Sequence, residues 1–335
     1  MVNRLHIELS SRCQASCPMC PRNHSGGAVR NFVGPTDITL MQFQKWFTPN
    51  WLSQLKVFLA CGNYGDPLMN KDVLAILTYL RSHNQNCHID FHTNGSAHNI
   101  EWWQELAAII GKYGRVTFGI DGFENNHLKY RNGTNWNHIL RNASILIENG
   151  VTVCAATLVF EHNKHEITQL EQYLYSLGFE HVNIKHTTRF SGEIEFPVDN
   201  GLVLKPAGFI ARKIMKDISA YEIWKSNIEI DPECLQNGGD IYVDVNGRIW
   251  QCAYIAESYT RLQDPDKSQA NWAKWSARCG AEIKEIVESI PSIYLDNTDI
   301  EQALKIHKNS IAIWENAWNS AKKPCNCVVF CSKKS

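Results

Sequence analysis

No stretch of the 335 residues approaches the roughly 18–20 consecutive apolar positions that carry a helix across a bilayer. The first ten residues already include Arg4, His6 and Glu8, which excludes the apolar run of a secretory signal. An excess of one charge is also lacking: 33 basic against 34 acidic side chains leave a net charge of −1. Doubled lysines occur at Lys322-Lys323 and Lys333-Lys334, both near one end. A nucleic-acid partner needs a clustered cationic surplus and is not expected. Low-complexity tracts are missing as well, and the half after residue 187 has no internal repeat. With 44% apolar and 20% charged residues, the composition is that of a globular chain with one large domain or two. These absences lead to the expectation of a soluble, cytoplasmic protein that touches no membrane.

Cysteine is what the chain has in excess: twelve in all. Without an export signal, and with enough residues to bury a core, a disulfide framework is not expected. Their distribution is uneven. Cys13, Cys17 and Cys20 crowd one end, Cys325, Cys327 and Cys331 the other, and Cys234 and Cys252 bracket a hairpin. Cys61, Cys87 and Cys154 lie in or beside apolar runs and read as core, where a thiol acts as a small hydrophobe. Clustered thiols point instead to soft metal.

From residue 4 to about 186, strand and helix patterns alternate. Strands are expected at Leu5–Leu9, Lys56–Ala60, His88–Phe91, Arg115–Ile120, Thr152–Val159 and His181–Lys185. Thr39 with Gln42 spells a capping box before Met41–Phe47, and Asn70 is a candidate cap for Lys71–Ser82. Further helices are expected at Ile100–Ile110, at Asn137–Glu148, and after Asn163 and Glu166. Six such units imply a parallel sheet, and they fall short of the eight of a closed barrel. An α/β fold with a partial (β/α)6 TIM-like barrel over residues 1–190 is therefore expected. A connector rich in Gly and Pro follows at 191–233. A small hairpin-plus-helices unit then fills 234–335, its hairpin turning at Asn246-Gly247 as a two-residue loop that places Cys252 opposite Ile241.

Loops after the strands carry the unusual residues. Cys13-x3-Cys17-x2-Cys20 can wrap one [4Fe–4S] cube through three thiolates and leave its fourth iron open. Zinc with His24 as a fourth donor is the alternative for these cysteines alone. The same cysteines after a first strand resemble the radical S-adenosylmethionine (SAM) superfamily. Gly62-Asn-Tyr-Gly65-Asp66-Pro67 is similar to that family's Gly-Gly-Glu-Pro loop, with Asp66 where Glu is usual. His92-Thr93-Asn94-Gly95 resembles its third-strand segment near the ribose, and Phe118-Gly119-Ile120-Asp121-Gly122 its fourth-strand signature, with Gly119 in place of a serine. Tyr130-Arg131-Asn132-Gly133 matches a downstream Arg-Gly element. The resemblance implies that Cys13, Cys17 and Cys20 hold the cluster. It also implies that Met19, Gly65, Asp66, Thr93, Asn94, Asp121, Arg131 and Val159 surround SAM. Met19 and Val159 would lie toward the adenine and Arg131 on the methionyl carboxylate, which a guanidinium grips with two donors.

The C-terminal pattern, Cys234-x12-Gly247-x4-Cys252 with Cys325-x-Cys327-x3-Cys331, resembles the SPASM/twitch modules of that superfamily. It implies one auxiliary [4Fe–4S] cluster on four of the five thiols, with Cys279 a possible sixth; structural zinc is the alternative from the cysteines alone. Trp272, Trp275, Trp314 and Trp318 are expected to pack over it. The implied activity is reductive cleavage of SAM to a 5′-deoxyadenosyl radical that takes hydrogen from a substrate. Peptide or protein modification comes first, and dehydrogenation or cyclisation of a small metabolite second. A flavodoxin or ferredoxin would supply the electron. The first strand starts by Leu5, so no peptide-docking domain is expected before it. A zinc-stapled binding protein is the non-enzymatic alternative.

Overall fold

The structure, a computed structural model, describes residues 2–187, 190, 195–207, 227–264, 272–320 and 323–332. Six short strands join one parallel sheet in chain order: β1 (Arg4–Ile7), β2 (Val57–Ala60), β3 (His88–Thr93), β4 (Gly114–Gly119), β5 (Thr152–Val159) and β6 (His181–His186). Helices cross between them: α1 (Leu40–Trp46) and α2 (Pro49–Leu52), α3 (Val73–His83), α4 (Ile100–Ile110), α5 (Glu124–Tyr130) and α6 (Trp136–Glu148), and α7 (Ile167–Ser176). The sheet does not close, so the barrel is partial. Among the described residues no helix is long and apolar enough to cross a membrane.

Local chemistry sets the helix starts. The Thr39–Gln42 capping box opens α1 with both of its hydrogen bonds in place. Asn99 and Asn135 cap α4 and α6 by accepting the N–H groups of Trp102 and His138. Two expected caps work elsewhere. Asn70 does not cap α3: its Oδ1 accepts the Asp72 N–H while its Nδ2 donates to the carbonyls of Leu9 and Ile38. Asn163 does not cap α7 either; its amide donates to the carbonyls of Asp121 and Leu158 and so ties β4 to β5. Both side chains are buried at strand ends, where satisfying backbone carbonyls outweighs starting a helix.

Along the strands, alternate residues face opposite ways. Leu5, Ile7, Phe58, Ala60, Ile89, Phe91, Val116, Phe118, Val153 and Ala155 join the core beneath the helices. The positions between them include His6, Asp90, His92, Arg115 and Thr117, so the other face is polar. That polar face carries the site.

Past β6, a small hairpin of β7 (Phe196–Pro197) and β8 (Val203–Leu204) closes an apolar cluster with Met19, Tyr130 and Phe160. Of the expected connector, residues 191–194 and 208–226 lie outside the described residues. β9 (Asp240–Val243) then pairs in parallel with β1, Arg4 opposite Asp240. β10 (Arg248–Trp250) and β11 (Ile293–Tyr294) extend the same sheet in antiparallel fashion. The hairpin register differs from the expected one. Trp250 faces Tyr242, which sets Cys252 against Asp240 and not Ile241. The cause is a three-residue loop: Asp244 Oδ1 accepts the N–H groups of Asn246 and Arg248, and only Gly247 takes a positive φ, +75°. A two-residue primed turn needs that backbone at Asn246 as well. Helices α8 (Ala253–Thr260), α9 (Trp272–Ser289), α10 (Ile300–Asn319) and α11 (Cys325–Phe330) complete the unit around Tyr242, Trp250, Trp314 and Trp318. It is fastened to the barrel by a buried Arg30–Asp264 ion pair (2.5 Å) and by Asn63 Nδ2 donating to the Ala253 carbonyl (2.8 Å).

Candidate active site

A cleft opens at the C-terminal ends of β2 to β5. Cys13, Cys17 and Cys20 line it from the loop after β1, together with Gly65, Asp66, Thr93, Asn94, Gly119 and Arg131. Met19 and Val159 do not line it. Met19 is buried among Tyr130, Phe160 and Phe196, and Val159 packs on Ile167 and Ala207. Burial first, then the negative field of Asp66 and of Cys17, pushes the Cys13 thiol up, so a soft cation binding there must displace a proton.

Asp66 turns inward. Its carboxylate accepts from the Leu68 N–H (3.0 Å), Thr93 Oγ1 (2.8 Å), the Asn94 N–H (2.7 Å) and Asn94 Nδ2 (2.6 Å). The loop after β2 is thereby locked to the loop after β3. Asn94 Nδ2 also lies 3.6 Å from Cys13 Sγ, which brings this lock up to the first thiol. Gly65 is required by close approach, since a Cβ there would lie 1.8 Å from the Ser10 carbonyl oxygen. The same loop is held from below by Glu8, whose Oε1 accepts from the Tyr64 and Gly65 N–H groups and whose Oε2 accepts from Tyr242 OH. Glu8 was not singled out from the sequence; its signal was a carboxylate directly after a strand whose alternate residues, Leu5 and Ile7, belong to the core.

The opposite wall carries a fixed cation. Arg131 Nε donates to Asp121 Oδ2 at 2.5 Å, and Asp121 Oδ1 accepts the Leu158 N–H at 2.6 Å. Asp121 is fully buried. Burial opposes the Arg131 charge, but Asp121 and Cys17 outweigh it and hold the guanidinium ionised. The group lies directly over Gly119, where a Cβ would come within 2.7 Å of it. Burial first and Arg131 second bring His127 down to about 3. It is therefore neutral, and its Nδ1 accepts the Asp121 N–H.

Cys61 departs from its expected place in the core. It is half-buried and lines the cleft with His92, whereas Cys87 and Cys154 are buried.

In the C-terminal unit, Cys234, Cys252, Cys327 and Cys331 come together, each close enough to oppose ionisation of the others. Burial, the largest cause, pushes Cys234 up to about 11 and Cys252 to about 12. Gln251 Nε2 donates to Cys234 Sγ (3.0 Å) and Trp318 Nε1 to Cys327 Sγ (3.2 Å). The Cys325 sulfur is engaged in a disulfide. The side chains of Trp272, Trp275 and Cys279 lie outside the described residues. Among the described residues, no three His, Cys, Asp or Glu side chains meet at the spacing of one bound ion.

A partial β/α barrel with three thiols and a fixed cation at its strand ends defines a class of cofactor-dependent enzymes. The model of the radical SAM superfamily matches residues 7–174, and the chain belongs to that superfamily. No curated protein matches it. Among solved structures, it is similar to Streptococcus suis SuiB bound to precursor peptide SuiA (13% identity, TM-score 0.53), covering 82% of this chain and 63% of that one. It is also similar to anSMEcpe with bound AdoMet (16% identity, TM-score 0.51), covering 75% of this chain and 74% of that one. At these identities the likeness is one of fold, and the chain spans about 63% of the length of SuiB. The superfamily implies a [4Fe–4S] cluster and SAM. The cleft suits both: it offers three soft donors and one guanidinium.

Proposed function

We infer that this protein cleaves SAM reductively in the cleft and uses the resulting radical to take hydrogen from a peptide or protein side chain or backbone. The observation that carries this reading is the presence of Cys13, Cys17, Cys20 and Arg131 on the walls of one cleft. Cys13, Cys17 and Cys20 would hold the cluster, leaving one iron for the methionyl group. When bound, cluster and cofactor supply an electron to the sulfonium and a 5′-deoxyadenosyl radical.

The chain's own residues orient this chemistry. Arg131, clamped by Asp121, would fork onto the methionyl carboxylate. Asp66 would act through Thr93 and Asn94 by fixing the two loops that border the cofactor. Gly65 would let its loop sit against the first, and Met19 and Val159 would support the wall from behind. Cys234, Cys252, Cys327 and Cys331 would hold an auxiliary cluster that accepts an electron from the substrate or binds it, with Gln251 and Trp318 tuning it through N–H···S hydrogen bonds. The neighbouring fold of a protein crystallised with its precursor peptide supports a peptide substrate. A one-electron carrier such as flavodoxin or ferredoxin would complete the system.

The test is anaerobic reconstitution with iron and sulfide, followed by SAM and dithionite. The parent is expected to form 5′-deoxyadenosine, and Cys17→Ala to form none. A parent that leaves SAM intact overturns the reading.

A further inference from the structure

Five side chains from neighbouring strands line up on the polar face of the sheet, and two of them, Cys61 and His92, reach the same cleft. Cys61, just past β2, lies beside His6 on β1 and His92 on β3, both of which favour its ionised form. His6 Nε2 lies 2.7 Å from the Cys61 carbonyl oxygen, which fixes that ring, and its edge meets Tyr242 at 4.8 Å between centroids. His92 Nε2 lies 3.2 Å from Asp90 Oδ1. Asp90 in turn accepts two bonds from Arg115 on β4, at 3.0 and 2.7 Å. The line Arg115–Asp90–His92–Cys61–His6 thus crosses four strands. Cys61 and His92 both open onto the cleft beside the three clustered thiols.

We propose that Cys61, set between His6 and His92 at the edge of the cleft, is the group that accepts a proton from the substrate there. The inference rests on the reading of the cleft given above. A carbon that has lost a hydrogen atom acidifies an adjacent N–H or O–H. That bond breaks with its electron pair left on the substrate, and an S–H bond forms on Cys61. The thiolate is neutralised, and the negative charge passes to the substrate. The substrate class is accordingly one whose attacked carbon bears nitrogen or oxygen, as a peptide backbone carbon does.

The surroundings favour the thiolate. Burial alone would raise the Cys61 thiol, but hydrogen bonds and charge from His6 and His92 outweigh it and bring it to about 6. Burial would lower His92, but Asp90 and Cys61 outweigh that and bring it to about 9. The groups facing this pair are His6 from β1 with Glu8 just beyond, Asp90 from β3 and Arg115 from β4. A thiolate held beside an imidazolium is present at neutral pH, where it can take up a proton.

The test is the pH dependence of Cys61 alkylation by iodoacetamide in the reconstituted full-length protein, read by peptide mass spectrometry. The rate is expected to be half-maximal near pH 6. His92→Gln should move that midpoint upward and slow the reaction at pH 7 by about tenfold or more. The proposal is overturned by an ordinary thiol profile rising only above pH 8. It is equally overturned by no reaction at any pH, because a base that serves the cleft must be reachable from it. If His92→Gln does not fold, the parent profile decides alone. The two readings fail separately: loss of SAM cleavage leaves this profile untouched, and an ordinary Cys61 leaves SAM cleavage intact.

Discussion

Gly119 and Arg131 are two halves of one device. The missing side chain on β4 is the space the guanidinium occupies, and Asp121 holds it there at 2.5 Å. Restoring the serine that the resemblance associates with this position should therefore harm rather than help. In Gly119→Ser the new Cβ would lie 2.7 Å from the guanidinium, and displacing the cation leaves buried Asp121 short of its partner, a costly state. SAM affinity, measured by calorimetry on the reconstituted protein, is expected to fall about tenfold or more, which corresponds to about 1.4 kcal/mol. Unchanged or tighter binding would show that Arg131 does not hold the cofactor. Asp66 makes a related point. One methylene shorter than the usual glutamate, it is already saturated by four donors within its own loops.

Among the elements, β1 is the seam between barrel and C-terminal unit, flanked by β2 on one side and β9 on the other. Glu8 sits at its end and links the loop after β2 to Tyr242 on β9. Burial outweighs its hydrogen bonds and pushes it up to about 7, from an ordinary 4.5. The folded state thus favours the protonated acid. Its contribution to stability is whole below about pH 4.5 and is lost as pH rises through about 7. Thermal melts from pH 5 to 8 should show the parent losing about 2–3 kcal/mol relative to Glu8→Gln, whose amide does not ionise. Parallel curves would mean that Glu8 stays ionised in the fold. The strands and the capping box at Thr39 were legible because alternation and local spacing produce them. The roles of Asn70, Asn163 and Cys61 were not. Each chooses a partner from another element, and nothing within a few residues of it reveals which. The hairpin register was misread for a subtler reason: the Asp244 side chain captures two backbone N–H groups and adds one residue to the loop.

In the molecule as a whole, two sets of thiols flank one continuous sheet. The three-thiol pattern near residue 13 was legible from spacing. The second set was legible only as five candidates, because the engagement of Cys325 in a disulfide depends on tertiary structure. Arg30–Asp264 and Asn63–Ala253 hold the second unit against the cleft's own loops, so the two sets cannot drift apart independently. The central claim is that the first cluster keeps an iron without a protein ligand, and that SAM takes this place. Electron paramagnetic resonance on a Cys234→Ser/Cys252→Ser protein isolates that cluster. The reduced spectrum is expected to change shape when SAM is added. A spectrum indifferent to SAM, or a protein that takes up zinc and no iron, would contradict the account.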